Sequence, residues 1–190
     1  ITAATNTKTY DGTTSASAAP TVTSGLQTGD TVTGLSETYA DKNYGANKTI
    51  NVAGYTVNDG NSGGNYTVLT VNDATGVINK AAITLTAPAV TKTYDGTTTY
   101  TTQAGDLTTL SGSLLGGDTV TAAAIAYINK NAGIGNKSVT LDSATINDGN
   151  GGANYTVTLN GNSASTINKA GLTITAATNT KTYDGTTSAS

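Results

Sequence analysis

The chain has 190 residues, nine Lys and Arg against twelve Asp and Glu, a net charge of −3, and no Cys, Met, His, Trp or Phe. All nine cations are Lys and they are scattered, so the clustered basic face that phosphate binding needs is missing and nucleic acid is excluded as a partner. Without His or Cys the usual bases, nucleophiles and zinc ligand sets are absent, so no enzyme, catalytic residue or cofactor is expected, and no stretch is apolar enough to insert into a membrane.

Charged residues make up 11% of the chain, against roughly 25% in an average domain, so Thr, Ser, Asn and Gly must form the surface. Thr favours strands and Asn and Gly favour tight turns, which predicts an all-β fold. A chain with no Cys or Met has little to oxidise, which suits an extracellular life.

Ile1–Ser17 returns letter for letter as Ile174–Ser190, and an imperfect copy lies at Leu85–Thr99. Tyr10, Tyr94 and Tyr183 of the shared Tyr-Asp-Gly triplet stand 84 and 89 residues apart. Repetition at such spacing means tandem units, here 1–82 and 83–171, with 172–190 as the first strands of a third.

In chain order, TKTYDGTT at Thr7–Thr14 predicts a strand ending in a buried Tyr and an Asp-Gly turn, with Lys8 laying its stem on apolar or Tyr surface and its tip on Asp11. After the loop from Ser15 to Thr28, GDTVT at Gly29–Thr33 leads into TGLSETYADK, read as strand; so is its counterpart TAAAIAYINK at Thr121–Lys130. Ile50 and Val52 share one face, whereas Tyr55 and Val57 take the opposite parity. Val139 and Leu141 followed by Ala144 and Ile146 repeat the change, predicting a bulge or corner at Ala53–Gly54 and Asp142–Ser143.

The loop Asn58–Tyr66 and its copy Asn147–Tyr155 offer Asp59, Asn61, Asp148 and Asn150 as calcium ligands. That set is meagre beside the six to eight oxygens calcium takes, so an Asx-turn is favoured and no metal is assigned. GVINKAAITLTAPAV, Gly76 to Val90, crosses the unit boundary without a Gly- or Ser-rich linker, predicting a stiff join. No segment carries helical periodicity over ten residues, and unit two has the longer connection, Thr99–Gly116.

Every Lys has a counterpart: Lys8, Lys92 and Lys181; Lys42 and Lys130; Lys48 and Lys137; Lys80 and Lys169. An Asn–Lys isopeptide crosslink would need a nearby acid, and Glu37 has no equivalent in unit two, so the structural role is favoured. Sequons at Asn47, Asn65, Asn136 and Asn154 recur because the units are copies.

The order TKTYDGTT, GDTVT, YADKNYGANKTINV (Tyr39–Val52), NYTV and INKAAIT resembles the YDG and MBG-type repeats of giant secreted bacterial proteins, among them filamentous haemagglutinin-like adhesins. Unit two departs from it in INKNAGIGNK at Ile128–Lys137, where Asn129 replaces Asp41. The resemblance implies a cell-surface or biofilm-matrix location and a repetitive stalk. The expectation is therefore small β-sandwich-like domains joined without flexible linkers into an extended rod, the structural stalk or fibre of an extracellular adhesin or matrix protein. Its partners would be neighbouring repeats. One alternative is a multivalent adhesive module binding host or matrix glycans or proteins through Tyr44, Tyr100 and the loop Tyr100–Leu115. Another is a filament subunit that donates strands, if Ile1–Ser17 and Leu172–Ser190 are unpaired.

Overall fold

Alternating Thr, Val and Ile residues form long strands throughout the computed structural model, which describes residues 1–188. In unit one these are β1 (Thr7–Thr9), β2 (Thr31–Tyr39), β3 (Gly45–Asn58) and β4 (Asp73–Asn79). Unit two contains β5 (Ala81–Thr86), β6 (Thr91–Thr93), α1 (Ala104–Ser111), β7 (Thr119–Tyr127), β8 (Gly133–Asn147), β9 (Tyr155–Asn160) and β10 (Asn162–Asn168).

The fold is all-β, and each unit is built on one four-stranded sheet, in the orders β1-β4-β3-β2 and β6-β10-β8-β7. The short first strand of each sheet runs parallel to its neighbour, and the other pairs are antiparallel. These sheets curl into half-barrels, a form less layered than the sandwich expected from the sequence. A two-stranded parallel ribbon, β5 with β9, completes unit two.

The parity change is a bulge. Ser36 pairs with Gly54 and Glu37 with Val52, leaving Ala53 unmatched on β3. Likewise Ala124 pairs with Ser143 and Ile125 with Leu141, leaving Asp142 unmatched on β8. The extra residue returns alternate side chains to the core after the sheet bends, so one long strand runs through each bend.

A helix is the feature that periodicity missed. The longer connection of unit two folds into the two turns of α1, whose start is tied by Asp106 accepting the Gln103 N–H at 2.8 Å, and whose Leu110 is buried. Its Thr-rich sequence has low helix propensity, and eight residues are too few for a periodic signal. Packing of Leu110 against the core decides the matter.

Ile50 and Ile78 in unit one and Leu85 and Ile167 in unit two are each 0% exposed, and the buried apolar cluster is continuous from one unit to the other. The units also solve one local problem in two ways. In unit one the buried Glu37 accepts the Ala4 N–H at 2.8 Å; in unit two the same positions are Ile125 and Pro88, a residue with no N–H to satisfy.

β4 ends at Asn79 and β5 starts at Ala81, so only Lys80 joins the units. The expected break between residues 82 and 83 lies inside β5, because Ala81 and Ala82 already pair with Tyr155 and Thr156. Residues 172–188 of the expected third unit are exposed and form no strand; the span's last two residues, Ala189 and Ser190, lie outside the described residues.

Candidate functional site: the joint between the units

Four motifs from distant parts of the chain converge where the units meet. Tyr10 follows β1, Lys42 lies in the turn between β2 and β3, Asp118 precedes β7, and Tyr155 opens β9. The Asp118 carboxylate, buried between them, accepts hydrogen bonds at 2.7 Å from both the Tyr10 and Tyr155 hydroxyls on Oδ2, and at 3.1 Å from Lys42 Nζ on Oδ1. The two rings meet edge to face at 5.3 Å, and Lys42 lies 5.6 Å from the Tyr10 ring centre. One carboxylate thus holds two side chains of unit one to one of its own unit, and Lys42 neutralises the charge that burial would otherwise penalise.

Burial first, and then the Asp118 carboxylate, push the Tyr10 and Tyr155 phenols above their ordinary range. The Tyr10 hydroxyl and Asp118 raise Lys42 despite its partial burial. At neutral pH both phenols therefore keep the protons they donate and Lys42 keeps its charge.

A second contact lies beside the first. Asn154, 0% exposed, accepts the Tyr44 N–H on Oδ1 at 2.8 Å, and its Nδ2 donates to Asn43 Oδ1 at 3.3 Å. A third is backbone against backbone: a Cβ on Gly12 would lie 2.3 Å from Gly116 Cα, so a side chain at either glycine would part the units.

A YDG domain model matches residues 1–75 and again 79–166. The chain belongs to the YDG domain family. No curated protein and no solved structure matches it. The joint is built on the tyrosine of the YDG triplet itself: Tyr10 is 1% exposed where unit two covers it, whereas Tyr94 is 40% exposed and Tyr183 92%. Burial of that tyrosine, expected for all three copies, is thus supplied by the following unit.

The lysine that precedes each YDG triplet pairs as expected of Lys8 and Asp11. Lys8, Lys92 and Lys181 bond Asp11, Asp95 and Asp184 at 2.8, 2.8 and 2.7 Å. Lys8 and Lys92 lie over the Tyr39 and Tyr127 rings at 5.6 and 5.5 Å. Lys48 bonds Asp41, and Lys137 keeps the same contact with Asn129, so the substitution in unit two preserves the bond and loses the charge pair.

Around the calcium candidates, the carboxylates face backbone donors. Asp59 accepts the N–H groups of Asn61, Gly63 and Asn65 at 2.8, 2.8 and 3.0 Å; Asp148 accepts those of Asn150, Gly152 and Asn154 at 2.7, 2.8 and 3.1 Å. Burial opposes ionisation of Asp148, but the Gly152, Asn150 and Asn154 amides outweigh it and hold the carboxyl below the usual range. The loop closes on its own amides, and its copy in unit two presents Asn154 to the joint. Asn61 and Asn150 tie the loops internally, each donating through Nδ2 to Asn65 Oδ1 or Asn154 Oδ1.

Of the glycan candidates, Tyr44 is 47% exposed with Lys80 4.9 Å over its ring. Tyr100 packs edge to face on Tyr127 at 6.3 Å and donates to Asp106 at 2.9 Å; burial, then Asp106, raise its phenol to about 12. Half of the loop Tyr100–Leu115 is α1.

GDTVT and NYTV recur in both units, but nothing within either motif indicates that Asp118 and Tyr155 meet Tyr10, 108 residues from Asp118. The available signal was recurrence: each full unit carries its own Tyr, Asp, Lys and Tyr in that order, Tyr10, Asp30, Lys42 and Tyr66 in one and Tyr94, Asp118, Lys130 and Tyr155 in the other.

Proposed function

We propose that this chain is a structural repeat region, the stalk or fibre of an extracellular bacterial adhesin or biofilm-matrix protein, in which YDG units joined end to end form a stiff rod. The Asp118 cluster carries the reading. A covalent connector one residue long, a buried carboxylate with donors from both units and a glycine-to-glycine contact together restrict hinging, whereas a simple tether would need none of them. The role is mechanical, and the partners are neighbouring repeats. Composition agrees: a sparsely charged, hydroxyl-rich chain without oxidisable sulfur suits exposure outside a cell.

Arrays of one, two and three copies of the 173-residue block that separates the identical stretches test this by small-angle scattering. Maximum dimension should rise in proportion to copy number at constant cross-section, and Gly116→Val should shorten the particles. Growth near the square root of copy number, as for a freely jointed chain, would remove the basis of the reading.

A further inference from the structure

The two ends of the chain display the two halves of the joint. At the leading end, Tyr66 donates to Asp30, and the Gln27 N–H bonds the Tyr66 hydroxyl at 2.9 Å, just as the Leu115 N–H bonds Tyr155 at 2.9 Å. Asp30, Asn65 and Tyr66 stand where Asp118, Asn154 and Tyr155 stand in unit two, and among the described residues no tyrosine and lysine of a preceding unit cover them. At the trailing end, the half-exposed Tyr94 and the exposed Lys130 and Asn131 occupy the positions of Tyr10, Lys42 and Asn43.

The backbone repeats this pattern. Ala87 N–H bonds Asn160 O at 2.9 Å at the end of the β5–β9 ribbon, and Ala3 N–H bonds Val71 O at 2.8 Å in the same register. Thr2 bridges Val71 in parallel, but along Tyr66–Thr70, the counterpart of most of β9, no strand ladder forms among the described residues. Leu69 and Val71 are 76% and 47% exposed there, beside a groove of about 260 Å³. Meanwhile Ala170–Thr175 reads AGLTIT, aligning with AAITLT of β5 with Gly171, Leu172 and Ile174 in the places of Ala82, Ile83 and Leu85, and it is exposed, with Leu172 at 84% and Ile174 at 86%.

We infer that the tail of a second copy of this chain docks on unit one by strand exchange. Residues 174–190 are identical to 1–17, so a donor's Ile174–Ser188 makes every contact that the acceptor's own Ile1–Ser15 makes. It arrives with four further residues, Ala170–Thr173, which pair with Tyr66–Leu69 in the register of Ala81–Thr84 with Tyr155–Thr158. Exchange thus replaces like with like and adds strand pairing, burial of Leu172, and closure of Tyr94 and Lys130 on Asp30 and Tyr66. Because each copy then still presents a free tail and a free groove, association is head to tail and open-ended. At one point the new joint differs from the first: Thr28 aligns with Gly116 but ends a shorter connection without a helix, so the close approach of Gly12 and Gly116 has no counterpart there and its restraint is not part of the new joint. An identical stretch ahead of Ile1 in a longer chain would fill the same groove in cis.

The test is sedimentation of the full chain after refolding from urea, which removes any kinetic block to exchange. Mass should rise with protein concentration, and a synthetic peptide of residues 170–188 should return the protein to monomer. Leu172→Asp with Ile174→Asp, both exposed in the monomer, should weaken association by about 100-fold, the loss of burial of one to two large apolar side chains. Leu69→Cys in one copy should form a disulfide with Thr173→Cys in another, a contact that fixes the register. A wild-type chain that stays monomeric after refolding, an unaffected double variant, or absent cross-linking would overturn the inference. The stalk reading concerns the joint within one chain: a monomer with stiffly joined units would leave it intact, and an assembling chain with a flexible joint would sink it alone.

Discussion

Asp118 serves three donors from two units and leaves none of them another acceptor of equal strength. Asp118→Ala strands two phenols and an ammonium, which should cost about 2–4 kcal/mol of coupling between the units. Urea unfolding followed by a probe in each unit should then split into two transitions, whereas the wild type unfolds in one; coincident transitions in the variant would show that the cluster does not couple the units. Glu37 offers a second test, since unit two has already solved its problem. Glu37→Ile alone leaves the Ala4 N–H without its acceptor and should cost about 1–3 kcal/mol. Adding Ala4→Pro removes that N–H, and the double variant should recover at least half of the loss in thermal melts; additive losses would contradict the pairing of these positions. Single residues were legible where the partner is close in sequence, as in Lys8 with Asp11. They were illegible where it is not: nothing near GDTVT announces that Asp118 meets a tyrosine of the previous unit.

Among elements, the central strands were plain from alternation, and the bulges from its change of parity, because both are recorded in which residues are apolar. The β5–β9 ribbon was harder to see. Its strands come from opposite ends of unit two, and the sequence does not say that a unit's first strand closes against its last loop. Helix α1 left no periodic trace in eight residues and depends on Leu110 and Asp106. Equivalent positions in β4 and β10, Ile78 and Ile167, are both fully buried and next to the short parallel strand of their sheets. Changing either to Ala should cost about 2–5 kcal/mol by differential scanning calorimetry. Ile167→Ala should stay nearer the upper end, because β5, β9 and α1 enclose unit two more fully; equal or reversed losses would show that the extra elements add little to its core.

For the whole molecule, charge and proton chemistry set a window. The raised phenols of Tyr10 and Tyr155 and the raised Lys42 contribute stability that is complete below pH about 10 and is lost as pH climbs through their folded-state values. Carboxylates act in the other direction. Lys92, then the Thr97 N–H and hydroxyl, lower Asp95 to about 2, and Asp148 is lowered by its loop amides, so their contribution is present above pH about 4 and fades as pH falls toward 2. Melting temperature should therefore be flat between these limits, and the joint should share the alkaline loss with the other raised phenols, Tyr39, Tyr66, Tyr100 and Tyr127. Tyr10→Phe should blunt that alkaline loss; if it leaves the alkaline limb unchanged, the joint is not what titrates.

Rigidity of the joint is the claim on which the molecular account turns, and a chain without cysteine lends itself to measuring it. Spin labels on Thr56→Cys and Thr145→Cys, exposed and equivalent positions in the two units, report the inter-unit distance by pulsed electron resonance. A single narrow distribution that broadens in Asp118→Ala is the predicted result; a broad wild-type distribution, unchanged by the substitution, would contradict the account.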